Sequence, residues 1–317
     1  MKHFTSVNDV TDPYALVKEA LQLKKQPYAF SDLGKNKTIG LIFLNPSLRT
    51  RLSTQKAAMN LGMQVMVMNI DKEGWALELE DGAVMNGTTV EHIKDAAAVM
   101  GQFCDIIGIR CFPGLVDKKA DYGEKTLSQF MHYCKVPVIS LESATLHPLQ
   151  SLADLITIEE KKKTAKPKVV LSWAPHIKAL PQAVPNSFSE WMCKADVDFV
   201  ITHPKGYELC EDFTKNVKII YNQEEALKGA DFLYLKDWSS YNDYGKVYTP
   251  TENWMMNADK MKATNNAYIM HCLPVRRNVE VPDELLDSPQ SLILQQAENR
   301  LYAAQAVIKM ILEKINN

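Results

Sequence analysis

The chain has 317 residues, of which 46% are hydrophobic and 23% charged. This length exceeds the usual ~100–200 residues of one domain, so two folded domains are expected rather than one core or a disordered chain. The 36 Lys and Arg residues nearly balance the 38 Asp and Glu residues, for a formal charge of -2. This balance excludes bulk electrostatic attraction to nucleic acid or anionic membranes, so any anion site must be a local cluster.

The N-terminus lacks the apolar core of a signal peptide, and no apolar run approaches the ~18 residues that a membrane span needs. We therefore expect a cytoplasmic protein. Because no CxxC spacing occurs, neither a disulfide framework nor a zinc site is favoured. The six cysteines are Cys104, Cys111, Cys134, Cys193, Cys210 and Cys272.

Short runs rich in Val, Ile and Leu alternate with segments of helical period, which predicts parallel strands buried between helices. The predicted strands are 38–44, 64–68, 105–110, 136–141, 168–173, 198–202, 217–221, 231–235 and 267–271. The predicted helices are 47–61, 91–103, 124–134, 149–163 and the strongly amphipathic 297–315. The pattern predicts an α/β fold with two doubly wound parallel-sheet domains, residues 1–148 and 149–295, followed by a C-terminal helix at 296–317.

Ligands of such sheets collect at the carboxyl ends of the strands. The absence of GxGxxG after the first strand and of GxxxxGK[ST] anywhere argues against a dehydrogenase or an NTPase. Instead, Asn45–Arg51 offers backbone N–H groups, two hydroxyls and two guanidinium groups at a helix N-terminus, an arrangement that suits phosphate. Ser47 as a simple helix cap, with solvated arginines, is the alternative. Arg110 ends the third predicted strand and favours an anion site.

Two further strand ends carry polar side chains. His147 can donate a hydrogen bond to a ligand oxygen, and Gln150 can accept one from an amide, although His147 as a capping residue and Asp154 as a helix-dipole partner are equally open. Cys272 lies between a strand end and two arginines. A buried thiol is more often inert than nucleophilic.

These residues resemble the aspartate/ornithine transcarbamylases. Ser47-Leu48-Arg49-Thr50-Arg51 is similar to the family's S-x-R-T-R motif, His147-Pro148-Leu149-Gln150 to its H-P-x-Q motif, and His271-Cys272-Leu273-Pro274 to the H-C-L-P signature of the ornithine branch. The three motifs occur in the family's order and span nearly the whole chain.

One departure narrows the branch. Where ordinary ornithine transcarbamylases have a Ser-Met-Gly loop, this chain has Lys236-Asp237-Trp238-Ser239-Ser240. It resembles the N-acylornithine transcarbamylases instead, with Trp75, Glu142, Trp173-Ala174-Pro175-His176 and Lys236 in matching places. The segment 178–186 resembles the proline-rich loop through which those chains are knotted, an exception to the rule against threading.

The acyl group is indicated by Val90. Acetyl-specific members have a glutamate before Glu91-His92, whereas succinyl-specific members have a proline. Val90 matches neither, but a neutral residue would not repel a succinyl carboxylate, and Arg276 and Lys178 are cations that can reach one. Glu280 stands where an acetyl-specific relative has a lysine. The expected acceptor is N-succinyl-L-ornithine, with N-acetyl-L-ornithine as the alternative.

The resemblance implies carbamoyl transfer from carbamoyl phosphate to the δ-amine, giving an N-acylcitrulline in arginine biosynthesis without metal or organic cofactor. It assigns Ser47, Leu48, Arg49, Thr50 and Arg110 to the phosphate, with Trp75 added from a neighbouring subunit of a homotrimer. His147 and Arg300, brought back by the C-terminal helix, would bind the carbonyl oxygen. Gln150, Cys272 and Leu273 would orient the carbamoyl amide, and Glu142, His176 and Lys236 would bind the amino acid.

Two other readings compete with this one. Ordinary ornithine or aspartate transcarbamylase activity is opposed by the missing Ser-Met-Gly loop and by Cys272, respectively. A non-catalytic ligand-binding homologue is opposed by the presence of all four of Arg49, Arg110, His147 and Gln150.

Overall fold

The computed structural model describes residues 2–248 and 253–316, which form two compact units. Unit 1 comprises residues 1–114, 119–149 and 300–317, and unit 2 comprises residues 115–118 and 150–299. Among the described helices, none is long and apolar enough to cross a bilayer.

Unit 1 contains a parallel four-stranded sheet in the order β2-β1-β5-β6. All residues of β5 and β6 are buried, as expected for parallel strands covered on both faces. The strands are β1 Thr38–Phe43, β2 Gln64–Asn69, β3 Leu77–Glu78, β4 Glu91–His92, β5 Ile106–Arg110 and β6 Val138–Glu142. The helices are α1 Pro13–Lys25, α2 Leu48–Asn60, α3 Ile70–Glu73, α4 Ile93–Phe103, α5 Lys118–Tyr122 and α6 Lys125–Tyr133, with a 3-10 turn at Val7–Asp9.

Unit 2 contains a parallel five-stranded sheet in the order β11-β10-β7-β8-β9. Its strands are β7 Lys168–Trp173, β8 Asp198–Thr202, β9 Lys218–Ile219, β10 Phe232–Lys236 and β11 Tyr268–Met270. The helices of this half of the chain are α7 Pro148–Lys161, α8 Ala183–Met192, α9 Glu211–Thr214, α10 Gln223–Leu227, α11 Ala258–Met261, α12 Asp283–Leu286 and α13 Ile293–Asn316. From Arg300 onward, α13 belongs to unit 1. The predicted pair of parallel-sheet α/β domains is thus confirmed.

Two predicted details are wrong. Glu91 and His92 form β4 rather than the start of a helix, and the His92 side chain accepts a hydrogen bond from Lys94 N, so α4 begins at Ile93. The segment 178–186 is a loop only in part, because α8 begins at Ala183. Pro185 is tolerated in the first turn of α8, where backbone N–H groups lack helical partners. Threading of the chain through this segment stays a prediction.

Candidate active site

In unit 1 the anion-binding side chains lie at the carboxyl edge of the sheet. Arg110 ends β5, whose register pairs it with Phe43 of β1 and Glu142 of β6. The segment Asn45–Thr50 leaves β1 at this edge and enters α2. Adjacent parallel strands therefore bring together residues far apart in sequence, as the predicted topology requires.

Arg110 is buried and holds the loop after β1. Its Nη1 donates to Asn45 O at 3.0 Å and Pro46 O at 2.7 Å, and its Nη2 donates to Glu142 Oε2 at 3.0 Å. Glu142, which was expected among the amino-acid ligands, thus has Arg110 as its partner within unit 1. Because the ion pair is buried and hydrogen-bonded, loss of either member would leave an uncompensated charge.

Ser47 is the N-cap residue of α2, but its side chain makes no capping hydrogen bond. The simple capping role considered for Ser47 is therefore wrong. Leu48 is the first residue of α2, so its backbone N–H is one of the donors without a partner in the helix. Arg49 follows in the first turn, partly buried.

Thr50, His147 and Arg300 form a second buried group in unit 1. Arg300 Nη2 donates to Thr50 Oγ1 at 2.5 Å and lies 3.4 Å from His147 Nε2. His147 Nε2 is also 3.5 Å from Glu142 Oε2. Burial lowers the pKa of the His147 imidazole well below its usual range, and Arg300 and Arg110 lower it further. The ring is therefore neutral near pH 7, with one nitrogen that can donate a hydrogen bond.

The loop that carries His147 is held by Glu124, which sequence reasoning did not identify. The carboxylate of Glu124 accepts hydrogen bonds from Ser143 Oγ at 2.5 Å, from Thr145 N at 2.7 Å and from Thr145 Oγ1 at 2.5 Å. Glu124 itself adopts a left-handed conformation with φ of 48°. No local sequence signal marks a residue whose partners lie some twenty positions away.

Two other sequence-predicted residues of unit 1 lie just before the two strands of the small β3–β4 sheet. Trp75 is 53% exposed, and its Nε1 donates to Glu91 Oε2 at 2.8 Å. Val90 is 65% exposed, and its backbone N–H donates to Ala76 O at 3.1 Å. Hydrogen bonds between the segments before β3 and β4 therefore hold the exposed side chains of Trp75 and Val90 in the same small region.

In unit 2 a charged cluster lies at the carboxyl ends of β7, β10 and β11. Lys236 ends β10 and is paired in register with Trp173 of β7. Lys236 Nζ donates to Asp237 Oδ1 at 2.6 Å. Burial alone would lower the pKa of Lys236, but the Asp237 carboxylate, together with Cys272 and Glu280, outweighs burial and raises it. Lys236 is therefore a fixed cation.

His176 lies near the other oxygen of the Asp237 carboxylate, with its Nδ1 3.7 Å from Oδ2. Its Nε2 accepts from Arg276 Nε at 3.2 Å, so the proton of the neutral ring is on Nδ1, which donates to Lys178 O at 3.0 Å. Glu280 Oε1 is 3.4 Å from His176 Nε2 and accepts from Arg276 N at 3.1 Å. His176, Lys236 and Arg276 are thus brought together, whereas Lys178 joins the cluster through its backbone.

The H-C-L-P strand end follows β11. Leu273 N–H donates to His271 Nδ1 at 2.9 Å, so the proton of the neutral ring is on Nε2, which lies 3.1 Å from Glu280 Oε2. The N–H of Leu273 is therefore engaged within the protein. Gln150 donates from Nε2 to Asp154 Oδ1 at 2.8 Å.

Asp237, His271 and Glu280 offer ligand atoms that all lie within 4.8 Å of one another. They are the described residues best placed to hold a metal ion. The Lys236 ammonium group, 2.6 Å from Asp237 Oδ1, already supplies the cation that this carboxylate pairs with. Because the cluster contains this cation as well as carboxylates, it is better suited to an amino acid, which carries both an anionic and a polar group.

Comparisons with known proteins agree with this arrangement. The family model described as "Aspartate/ornithine carbamoyltransferase, carbamoyl-P binding domain" matches residues 2–160. The model described as "Aspartate/ornithine carbamoyltransferase, Asp/Orn binding domain" matches residues 181–311.

Individual proteins are also similar over their full lengths. N-succinylornithine carbamoyltransferase of Bacteroides thetaiotaomicron is 52% identical over 99% of each chain. N-acetylornithine carbamoyltransferase of Xanthomonas campestris is 34% identical over 97% of each chain. Among solved structures, a glutamate-to-valine variant of N-acetyl-L-ornithine transcarbamylase, complexed with carbamyl phosphate and N-succinyl-L-norvaline, has a TM-score of 0.91 at 32% identity and covers 98% of this chain and 100% of its own.

Proposed function

The chain belongs to the aspartate/ornithine carbamoyltransferase family, and from that membership we propose that it carbamoylates N-succinyl-L-ornithine. The carbamoyl group of carbamoyl phosphate passes to the δ-amine, giving N-succinyl-L-citrulline and phosphate in arginine biosynthesis. The observation that carries the proposal is the buried contact of Thr50, from the S-x-R-T-R motif, with Arg300, which also lies beside His147. Thr50, His147 and Arg300 are suited to bind a negatively charged oxygen next to a phosphate group.

Ser47, the Leu48 amide, Arg49, Thr50 and Arg110 bind the phosphate. His147 and Arg300 donate to the carbonyl oxygen, on which negative charge builds as the amine attacks. Because its pKa is lowered, neutral His147 is a weak base that donates to this oxygen, and the departing phosphate accepts the proton that the amine must lose. Catalysis is then mainly positioning and charge stabilisation by these side chains, with no metal or organic cofactor assigned a role.

The cluster in unit 2 supports binding of the amino-acid end of the acceptor. Lys236 is a buried cation suited to the α-carboxylate, and His176 and Arg276 lie within hydrogen-bond distance of each other. Glu142 remains an assigned ligand, and through Arg110 it also fixes a phosphate-binding group. Gln150 and the carbonyl groups at Cys272 and Leu273 orient the carbamoyl amide.

The choice of a succinyl acceptor is supported by Val90 and by the 52% identity to an N-succinylornithine carbamoyltransferase. A neutral side chain at this position removes a charge that would repel the succinyl carboxylate. In the solved neighbour, replacement of a glutamate by valine accompanies bound N-succinyl-L-norvaline. Arg276 and Lys178 supply positive charge for the same carboxylate. N-acetyl-L-ornithine is the second candidate acceptor, supported by the 34% identical relative.

We further propose a cytoplasmic homotrimer whose active sites are shared between subunits. An exposed apolar surface on unit 1 supports this. On α2 it consists of Leu48, Leu52 and Met59, which are exposed at helical spacing along one stripe of the helix. On edge strand β2 it consists of Met66 and Met68, which are exposed on one face of the strand. Such an apolar surface is typical of an interface. Trp75 and Val90, exposed beside the small β3–β4 sheet, would then enter the partner's site together.

Separate incubations with ornithine, N-acetylornithine and N-succinylornithine test the activity. Each contains the purified chain and carbamoyl phosphate, and citrulline-type product is measured. We expect product with N-succinylornithine. Turnover of ornithine alone would refute an acylornithine acceptor, and no turnover with any of the three would favour a non-catalytic homologue.

A further inference from the structure

Asp154 is a fully buried carboxylate in unit 2 that the proposed chemistry has not used. The sequence allowed a role as a helix-dipole partner. However, α7 begins at Pro148, which places Asp154 in the second turn, whereas a dipole contribution is confined to the first. Its burial therefore needs specific polar partners.

One oxygen of Asp154 orients two buried amides. Oδ1 accepts hydrogen bonds from Gln150 Nε2 at 2.8 Å and from Gln296 Nε2 at 2.7 Å. Gln296 Oε1 in turn accepts from His271 N at 2.9 Å. All four residues are completely buried. Because a carboxylate can only accept, it fixes which end of each amide faces it.

We propose that Asp154 is a positioning residue for recognition of the carbamoyl amide. It holds Gln150 with Nε2 inward, so that the carbonyl oxygen Oε1 is the group presented to the carbamoyl NH₂. Through Gln296 it also fixes the backbone at His271, immediately before Cys272 and Leu273. This inference rests on the proposed function, in which Gln150 and that backbone contact the carbamoyl group.

The consequence is selectivity between two acyl phosphates. Acetyl phosphate has a methyl group where carbamoyl phosphate has NH₂, so only carbamoyl phosphate gains from a correctly turned Gln150. In Asp154→Asn an NH₂ donor replaces one carboxylate oxygen. Gln150 can then turn its own oxygen toward Asn and its NH₂ toward the ligand, placing two donors face to face.

Glu160 provides a matched control. Glu160, also on α7, accepts from Gln295 Nε2 at 2.7 Å and from Asn299 Nδ2 at 2.8 Å. Glu160→Gln therefore disturbs the same kind of carboxylate bridge between α7 and α13 without touching Gln150.

The experiment measures the ratio of the acetyl phosphate inhibition constant to the carbamoyl phosphate KM in the full-length enzyme. We expect the ratio to fall at least tenfold in Asp154→Asn and to stay within about twofold of the unmodified protein in Glu160→Gln. When Gln150 is already replaced by alanine, adding Asp154→Asn should lower this ratio by a smaller factor than it does in the unmodified protein. An unchanged ratio, or an equal fall in both single variants, would overturn the inference.

A second measurement serves if Asp154→Asn does not fold. In the ¹⁵N-labelled unmodified protein, the Gln150 side-chain amide, identified by its loss in Gln150→Ala, should have exchange-protected protons. A rapidly exchanging amide would overturn the inference. If the unmodified protein turns over no acceptor, the proposed function fails first, and the assignment of Asp154 falls with it. If it turns over N-succinylornithine but Asp154→Asn keeps its selectivity, only this inference fails.

Discussion

Arg300 Nη2 donates a 2.5 Å hydrogen bond to Thr50 Oγ1, joining residues 250 positions apart. Thr50 lies in the first turn of α2, and Arg300 lies in α13. Both side chains are buried, so the interaction is poorly screened by solvent. Helix α13 thereby adds a side chain to the anion site whose first residues follow β1.

Replacement of Arg300 by methionine is expected to reduce kcat/KM for carbamoyl phosphate by about 10²–10³-fold, the usual effect of removing one oxyanion donor. Loss of packing is limited because methionine retains an unbranched stem. Arg277→Met is the control, since Arg277 is an exposed residue paired with Asp283 and Asp287. Steady-state kinetics on both variants make the comparison, and equal losses would contradict a specific role for Arg300.

Most of the fold could be predicted because buried parallel strands have a strong sequence pattern. The limits of β7 and β8 match their predicted ranges, whereas edge strand β9 is reduced to Lys218–Ile219. The two-residue strands β3 and β4 were missed because so short a segment has no periodicity. Arg110, at a strand end, could likewise be predicted from topology, whereas Lys236 is predicted from the resemblance to the N-acylornithine transcarbamylases.

The partners of those residues could not be predicted. Glu124, Asp237 and Glu280 contribute carboxylates whose contacts depend on tertiary packing, and nothing in their neighbouring sequence distinguishes them from surface acids. Glu142 could be named as a site residue, but its partner Arg110 is set by the β5–β6 register. Residue type and strand position thus predict where a site lies better than they predict which of its side chains pair with each other.

Cys272→Ala should retain substantial activity, because the proposed reaction transfers the carbamoyl group directly to the amine. The thiol is buried, and the assigned contacts at this position are backbone carbonyl groups. Activity of the variant and mass spectrometry of the intact protein during turnover test this prediction. Cys193→Ala, at an exposed cysteine, is the control. A trapped carbamoyl thioester at Cys272 would contradict direct transfer.

The free energy of unfolding should decrease as the pH falls below about 6.5. Burial lowers the pKa of His147, His203 and His271 in the folded protein, so the unfolded chain binds more protons in this range. Each histidine that stays neutral when folded contributes a loss of about 1.4 kcal/mol per pH unit until its folded pKa is reached.

Urea unfolding between pH 7.5 and 5.5 measures this slope. His203→Gln should make it shallower, because His203 is one of the three buried histidines and has no role in the proposed reaction. A slope unaffected by this substitution would show that the His203 pKa does not control stability here.

Disruption of the exposed apolar surface of unit 1 should dissociate the proposed trimer. Leu52→Asp places a charge in the centre of the α2 stripe, where burial in an interface would cost several kcal/mol. Sedimentation velocity should show monomers, with loss of activity if Trp75 acts across the interface. Leu294→Asp alters an exposed leucine of α13 and should leave the assembly unchanged. A Leu52→Asp protein that sediments like the unmodified chain would exclude this surface as the interface.

Val90→Glu should shift acceptor preference from N-succinylornithine toward N-acetylornithine. A new carboxylate at this exposed position would repel the succinyl carboxylate, whereas an acetyl group has no charge to repel. We expect kcat/KM for N-succinylornithine to fall at least tenfold, about 1.4 kcal/mol, which is within reach of a charge pair near a protein surface. Val84→Glu is the matched control, since Val84 is an exposed valine in the chain between β3 and β4. Equal effects of the two substitutions on the ratio of the two acceptors' kcat/KM values would remove Val90 as the selector.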